Sequence, residues 1–267
     1  MATKPKDEFP LNIIEPVLDK FQPPGGDFAP KGAWTHRYAL YTIGQRSLGR
    51  VGVATVRREP AADGPVLHVD YRKFFPGRHW GVMSARLHCR PDALATPVRW
   101  RVASHIVRPD KRPLPHTDIE KTGTVDAQDI AIADGKATRR IARPAACTVN
   151  WALFDVVQRL PRKAFEPLHF TLLDHFDQAK ANHMLAFRST TDVLLGGKRV
   201  RTERWEALEK GRIRKTTWGR EGDRPVRLHA YDHLGDGIVP EVYWVDDQGR
   251  LLFMVAGIEA WVWEGAK

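Results

Sequence analysis

The sequence predicts a mainly β protein, a curled antiparallel sheet in the form of a half-barrel or sandwich with one principal helix near residues 150–160. Three observations predict this fold class. Apolar and polar residues alternate with period two in many segments, tight-turn sequences join these segments, and only one stretch has the spacing of an amphipathic helix. With 267 residues, 42% of them hydrophobic, the chain can bury a core around such a sheet.

The alternation is clearest in three successive segments, at 67–72, 83–88 and 98–103. In them Leu67, Val69 and Tyr71 alternate with His68, Asp70 and Arg72; Met83, Ala85 and Leu87 with Ser84, Arg86 and His88; and Val98, Trp100 and Val102 with Arg99, Arg101 and Ala103. A strand with one buried and one wet face requires this pattern. After the helix, further strands are predicted at 168–173, 184–188, 193–195, 199–207, 213–218, 226–231, 242–245, 250–255 and 259–263. About fourteen antiparallel strands are too many for one flat sheet, so the sheet must curl or split into two layers.

Glycine-containing pairs mark the turns between strands. Asp63-Gly64, Asp134-Gly135, Gly196-Gly197 and the stretch 246–249 supply the positive-φ positions of tight hairpins. Antiparallel hairpins are therefore expected, and parallel crossovers are not.

The predicted helix runs from Asn150 to Leu160. Asn150 is the expected N-cap, Trp151, Phe154 and Val157 form one stripe, and Pro161 ends the helix. A single amphipathic helix commonly covers the concave side of a curled sheet. We therefore expect a ligand cleft between the helix and the sheet.

Residues 1–33 are predicted to form an extended N-terminal arm, because the run 23–26 is Pro-Pro-Gly-Gly, and residues 34–267 a single antiparallel β domain. Cys89 and Cys147 have no zinc or redox spacing, which leaves one disulfide open. No stretch has the roughly 18 apolar residues of a membrane helix, so we expect a soluble chain. Its compartment stays open: cytoplasmic as written, periplasmic or extracellular if a leader was removed.

The 42 Lys and Arg against 32 Asp and Glu give a formal charge of +10, which favours anionic partners or reflects a generally basic surface. If the first three strands are neighbours, their wet faces bring basic side chains together. The candidate ligand-binding residues are Arg72, Arg86, Arg99, Arg101 and His88, with Trp80 in a nearby loop. Such a band is either a solvated face or a site for an anion. Trp100 and Trp151 are expected in the core.

The stretch GDGIVPEVYWVDDQGRLLFMVAGIEAWVWE at 235–264, with FTLLDHFDQAKANHMLAFR at 170–188, resembles the closing strands of uncharacterised bacterial envelope proteins. Their β half-barrel is similar to the lipoprotein carrier and receptor fold. The resemblance covers about the last 110 residues. It implies a cavity for a hydrophobic or amphipathic ligand and assigns no catalytic residue.

Two clusters of His and acidic residues are candidates for acid–base chemistry. The first contains Asp174 and His175, and the second His229 and Tyr231, with His233 on the same face if the strand continues. Their spacing is not specific, and turn-forming Asp is the alternative. No metal or cofactor is predicted.

The sequence contains no glycine-rich phosphate loop, no Gly-x-Ser-x-Gly elbow and no His-Glu-x-x-His motif. The leading hypothesis is a binding protein that holds an anionic or amphipathic ligand, lipid-like or glycan, in a basic cleft. The alternative is a lyase or hydrolase on acidic polysaccharides that uses the His and Tyr side chains named above. Nucleic acid is an unlikely partner, because the arginines are dispersed along the chain.

Overall fold

The computed structural model describes residues 10–18, 21–43, 48–75, 77–195, 198–208, 211–221 and 224–266. The chain forms two compact units. One comprises residues 26–190 and 229–267, and the other residues 1–25 and 191–228. The larger unit contains the helical segment that the sequence predicted near residues 150–160.

Strands dominate the described chain. They are β1 (Trp34–Ile43), β2 (Leu48–Glu59), β3 (Val66–Phe75), β4 (His79–Cys89), β5 (Pro97–Val107), β6 (Ile119–Val125), β7 (Asp129–Ala133), β8 (Thr138–Ala142), β9 (Cys147–Val149), β10 (Leu168–Asp174), β11 (Gln178–Leu195), β12 (Lys198–Leu208), β13 (Gly211–Glu221), β14 (Arg224–Leu234), β15 (Glu241–Asp246), β16 (Leu251–Ala256) and β17 (Glu259–Ala266). The two helices described are short, α1 (Glu15–Leu18) and α2 (Leu153–Arg159), and each follows a 3₁₀ turn, at Leu11–Ile14 and Asn150–Ala152.

Fifteen of the described strands form one open sheet, in the order β8-β7-β6-β5-β4-β3-β2-β1-β17-β16-β15-β14-β11-β10-β9. Most neighbours pair antiparallel, which confirms the predicted mainly β fold class. The pair β9 and β10 is parallel, with Thr171 opposite Cys147, so the expectation of antiparallel connections alone was wrong. Parallel neighbours need a long crossover, and the segment that contains α2 supplies it.

The three alternating segments of the sequence are neighbours, as predicted. In β3 and β4, Leu67 lies opposite Leu87 and Val69 opposite Ala85, and all four side chains are buried. Their polar neighbours in the chain point to the other side of the sheet. We call the side that carries Leu67 and Leu87 the inner face, and the opposite side the outer face.

Helix α2 packs on the inner face, and the sheet curls around it. The Phe154 ring lies 5.4 Å from Tyr38 of β1, 5.4 Å from Trp261 of β17 and 6.4 Å from Tyr243 of β15, between ring centroids. Most of α2 is buried, and Pro161 follows its end as predicted. The predicted N-cap was wrong: Asn150 opens the 3₁₀ turn, and its Oδ1 accepts a hydrogen bond from the backbone N–H of His175 at 3.3 Å.

A buried ion triad ties α2 to the sheet. Asp155, fully buried on α2, accepts hydrogen bonds from Arg58 of β2 at 2.7 Å and from Arg159 at 2.9 Å. Arg58 Nη1 also donates to the carbonyls of Lys31 and Gly32, and Arg159 Nη1 donates to the carbonyl of Asp92. The triad therefore joins the helix, a strand and two loops within the larger unit.

The smaller unit contains the antiparallel hairpin β12–β13, which pairs Lys198 with Glu221 and Leu208 with Gly211. It also contains residues 11–18, which are helical where the sequence predicted an extended arm. Pro16 lies in the first turn of α1, where a missing N–H costs no hydrogen bond. The division into an arm over 1–33 and one domain over 34–267 stays a prediction, and the predicted turn at 196–197 lies outside the described residues.

Cys89 and Cys147 are both buried and free. Burial raises the pKa of the Cys89 thiol, with a smaller contribution from Asp155. Neither described helix is long and apolar enough to cross a bilayer.

Candidate functional site

A cavity of about 470 Å³ lies between α2 and the inner face of the sheet, at the position where the sequence predicted a cleft. Its lining is mainly aromatic and aliphatic, with a few polar groups. The lining residues are Tyr71, Met83, Val102, Ser104, Ile119, Lys121, Asn150, Trp151, Phe154, His175, Phe176, Glu241, Tyr243, Met254, Ala256, Glu259 and Trp261. This combination is typical of pockets for small or amphipathic molecules.

Aromatic rings form one wall of the cavity. Trp151 lies 5.6 Å from Tyr71, 5.6 Å from Phe154 and 5.5 Å from Trp261, between centroids. Trp151 was expected in the core. It packs against the core while staying partly exposed to the cavity, whereas Trp100 is fully in the core. The ring contacts fix the wall, because each ring is held by two or more others.

The charged groups at the cavity are mostly paired already. Lys121 Nζ lies 2.6 Å from Asp177 Oδ2, and Lys73 forms an ion pair with Glu259. Burial raises the pKa of Tyr71 above its usual range, with a further contribution from the Glu259 carboxylate. The cavity is therefore not the basic cleft that the sequence analysis expected.

Glu241 is a lining residue whose carboxylate is held by two side chains, Tyr243 and His233. Its Oε2 accepts a hydrogen bond from the Tyr243 hydroxyl at 2.5 Å and lies 2.9 Å from His233 Nδ1. His233 Nε2 lies 3.0 Å from Nδ1 of His183, and the Phe170 ring stacks on His233. Because a carboxylate only accepts, His233 donates to Glu241 from Nδ1, and one proton is shared between His233 Nε2 and His183 Nδ1.

The pKa values of the residues at both ends of this hydrogen-bonded series, Tyr243 and His183, are shifted. Burial raises the pKa of Tyr243 far above its usual value, and the neighbouring Glu241 adds to the shift. Burial lowers the pKa of His183, as does His233. The two imidazoles behind the Glu241 carboxylate hold that carboxylate in one orientation at the cavity wall. The sequence analysis missed Glu241 and Tyr243, although their i, i+2 spacing on a strand puts them on one face.

The predicted catalytic residues divide between different places. His175 lines the cavity and is exposed, with its backbone at φ 49°. Asp174 beside it accepts a hydrogen bond from Lys180 Nζ at 2.5 Å. Burial pushes the pKa of Asp174 upward, but the hydrogen bond from Lys180 and the nearby His175 outweigh burial and lower it. Asp174 is therefore held as a carboxylate.

His229 and Tyr231 do not line the cavity. His229 lies 2.9 Å from both Asp247 Oδ1 and Thr190 Oγ1. Tyr231 is buried and donates to the carbonyl of Pro161 at 3.1 Å, and burial raises its pKa to about 12. The strand does continue to Leu234, which keeps His229, Tyr231 and His233 on one face. The hydrogen bonds of His229 and Tyr231 hold strand β14 in place, and the structure does not join these two residues to His175.

The predicted ligand-binding arginines lie on the outer face, away from the cavity. In β4 and β5 the residues Met83 and Val102 line the cavity, and Arg86 and Arg101 point the other way. Arg86 lies opposite Arg101, and His88 lies opposite Arg99, so these four residues are together.

Arg72 and Trp80 form a separate contact on the outer face, with the guanidinium carbon 4.7 Å from the ring centroid. Trp80 is in strand β4 rather than in a loop, and its ring also contacts Phe74. Among the described residues, no three His, Cys, Asp or Glu side chains lie close enough to hold a metal ion.

The open curled sheet, the helix on its inner face and the apolar cavity together fit a β half-barrel. A solved structure with a similar fold is the beta-barrel-like protein of the DUF1849 domain of unknown function from Brucella abortus. The two match with a TM-score of 0.53 over 88% of this chain and 97% of that one, at 8% sequence identity, which shows a shared fold alone. No protein-family model and no curated protein matches this sequence.

Proposed function

We propose that this chain is a binding protein of the half-barrel type that holds an amphipathic, lipid-like molecule in the cavity beside α2. The observation that carries the proposal is the cavity itself: about 470 Å³, walled by rings and methionines, with a few fixed polar groups. A volume of this size suits a drug-sized or single-chain molecule. The apolar part would lie against Trp151 and Met254, and the polar part near Glu241 and His175.

The proposal narrows the ligand class. The outer-face arginines do not contribute to the cavity, so an anionic head group is not required for binding there. The resemblance of residues 235–264 to envelope half-barrels supports an amphipathic ligand, and on this proposal the protein acts in the cell envelope, as lipoprotein carriers do. The enzyme alternative gains no support, because His229 and Tyr231 are not at the cavity that His175 lines.

The proposal is tested by titrating the protein with dodecylphosphocholine below its micelle concentration and with decanoate, following tryptophan fluorescence and native mass spectra. We expect saturable one-to-one binding. The variant Met83→Trp fills the cavity from β4, so binding should weaken at least tenfold. The matched control is Trp80→Ala, which removes a ring from the outer face and should leave affinity unchanged. Absence of saturable binding, or equal binding by Met83→Trp, contradicts the proposal.

A further inference from the structure

A straight row of basic side chains crosses the outer face of β2–β5. The strand register places Arg57 opposite His68, His68 opposite Arg86, and Arg86 opposite Arg101. Neighbouring strands are about 4.8 Å apart, so the four positions span about 14 Å. We call these four residues the basic row. Its three arginines are exposed, and His68 is half-buried.

A second basic pair adjoins the row. His88 and Arg99 lie opposite each other, two residues along the strands from Arg86 and Arg101. Arg99 Nη2 is 3.4 Å from His88 Nδ1. Burial lowers the pKa of His88, and the charges of Arg99 and Arg86 lower it further. Positive charge therefore concentrates where β4 meets β5.

The described carboxylates that form ion pairs with the row lie at its two ends, whereas Asp70 lies on the same face two residues along β3 from His68. Glu59 pairs with Arg57 at 3.4 Å and with His68 at 3.0 Å, and Glu120 pairs with Arg101 at 2.9 Å. Within the described side chains, no carboxylate lies within 4.0 Å of Arg86 or of Arg99. Like charges directly opposite on neighbouring strands destabilise their pairing. The centre of the row is therefore a place where a bound anion would stabilise the sheet.

We propose that the basic row, together with Arg99, binds a linear acidic polysaccharide through its carboxylate or sulfate groups. Guanidinium groups form paired hydrogen bonds with both kinds of anion. A polyuronate presents an acid on each successive sugar, as the row presents a basic group on each successive strand. This surface is independent of the cavity, because it lies on the opposite face of the sheet.

Two features favour a polysaccharide over other polyanions. On the outer face, no Trp, Tyr or Phe stands in the basic row or two residues along the strands on either side of it, whereas single-stranded nucleic acid is usually held by stacking on such rings. The terminal carboxylates limit the surface to four strands. That length suits a short stretch of a linear chain, and it does not suit the extended plane of a membrane.

The test uses oligogalacturonate and heparin oligosaccharides as probes, with calorimetric titration at low and at physiological ionic strength. We expect binding that weakens with salt. The double variant Arg86→Gln/Arg99→Gln should bind about tenfold more weakly, since charge-assisted hydrogen bonds are the stronger kind. The control is Arg50→Gln/Arg112→Gln, which removes the same two charges from exposed side chains already paired with Glu264 at 2.8 Å and with Asp110 at 3.9 Å. Its affinity should equal that of the parent protein.

Unchanged affinity in Arg86→Gln/Arg99→Gln would overturn the proposal, as would an equal loss in Arg50→Gln/Arg112→Gln. Single-stranded DNA of matched charge serves as a competitor, and displacement of both sugars by it at equal charge concentration would also overturn the assignment to polysaccharide. Because all substituted side chains are exposed, the variants should keep the circular dichroism spectrum of the parent.

Discussion

The buried triad around Asp155 offers the sharpest test of the fold. The variant Asp155→Ala would leave two guanidinium groups without their carboxylate, on side chains only 7% exposed for Arg58 and 12% for Arg159. Removing one partner of a buried ion pair costs about 3–5 kcal/mol, a large share of the roughly 5–15 kcal/mol that stabilises a typical domain. The corresponding fall in Tm is about 10 °C for a unit of this size.

The assay is urea unfolding, followed by tryptophan fluorescence and by circular dichroism. Asp155→Asn keeps a hydrogen-bond acceptor and should cost less than Asp155→Ala. The control is Glu120→Ala, whose ion pair with Arg101 joins side chains 54% and 68% exposed and should contribute less than about 1 kcal/mol. If Asp155→Ala lowers the free energy of unfolding no more than Glu120→Ala does, the triad does not anchor α2 as argued.

Three further predictions concern single residues. Burial, with a smaller contribution from Arg250, lowers the pKa of His36 from 6.5 to about 3, so below pH 6.5 the unfolded chain binds a proton that the folded chain does not. The free energy of unfolding should therefore fall by at most about 5 kcal/mol between pH 7 and pH 3. The urea midpoint should depend less steeply on pH in His36→Phe than in the parent protein. At Gly123 a Cβ would stand 2.0 Å from the Trp100 ring, so Gly123→Ala should cost about 1–3 kcal/mol in urea unfolding, whereas Gly49→Ala meets open space. Cys89 should react with a thiol reagent only after unfolding, and rapid reaction of the native protein would contradict its burial.

Much of the fold could be predicted because it depends on local pattern. Alternation along β3 to β5 identified the strands and assigned Leu67 and Arg86 to opposite faces of the sheet. Pro161 marked the end of the helix. The parallel pair was missed because β9 is only three residues long, all buried, and shows no alternation. Its pairing with β10 depends on the crossover through α2, which no short pattern reveals.

The candidate site was predicted only in part, for a physical reason. Alternation states which side chains share a face, but the direction in which the sheet curls decides which face meets the helix. Here the face that carries Met83 and Val102 curls inward, so the arginines that alternate with them lie outside. The contact between His183 and His233 joins positions 50 residues apart, and it exists only because the strands fold together.

An open sheet has two unpaired edges, and both are of the kind that resists association with other chains. One edge is β9, too short to template a partner strand. The other is β8, which exposes Arg139 and Arg140 along a five-residue strand. Charged side chains on a short edge strand disfavour pairing with a second copy, so both edges of the open sheet resist strand-to-strand aggregation.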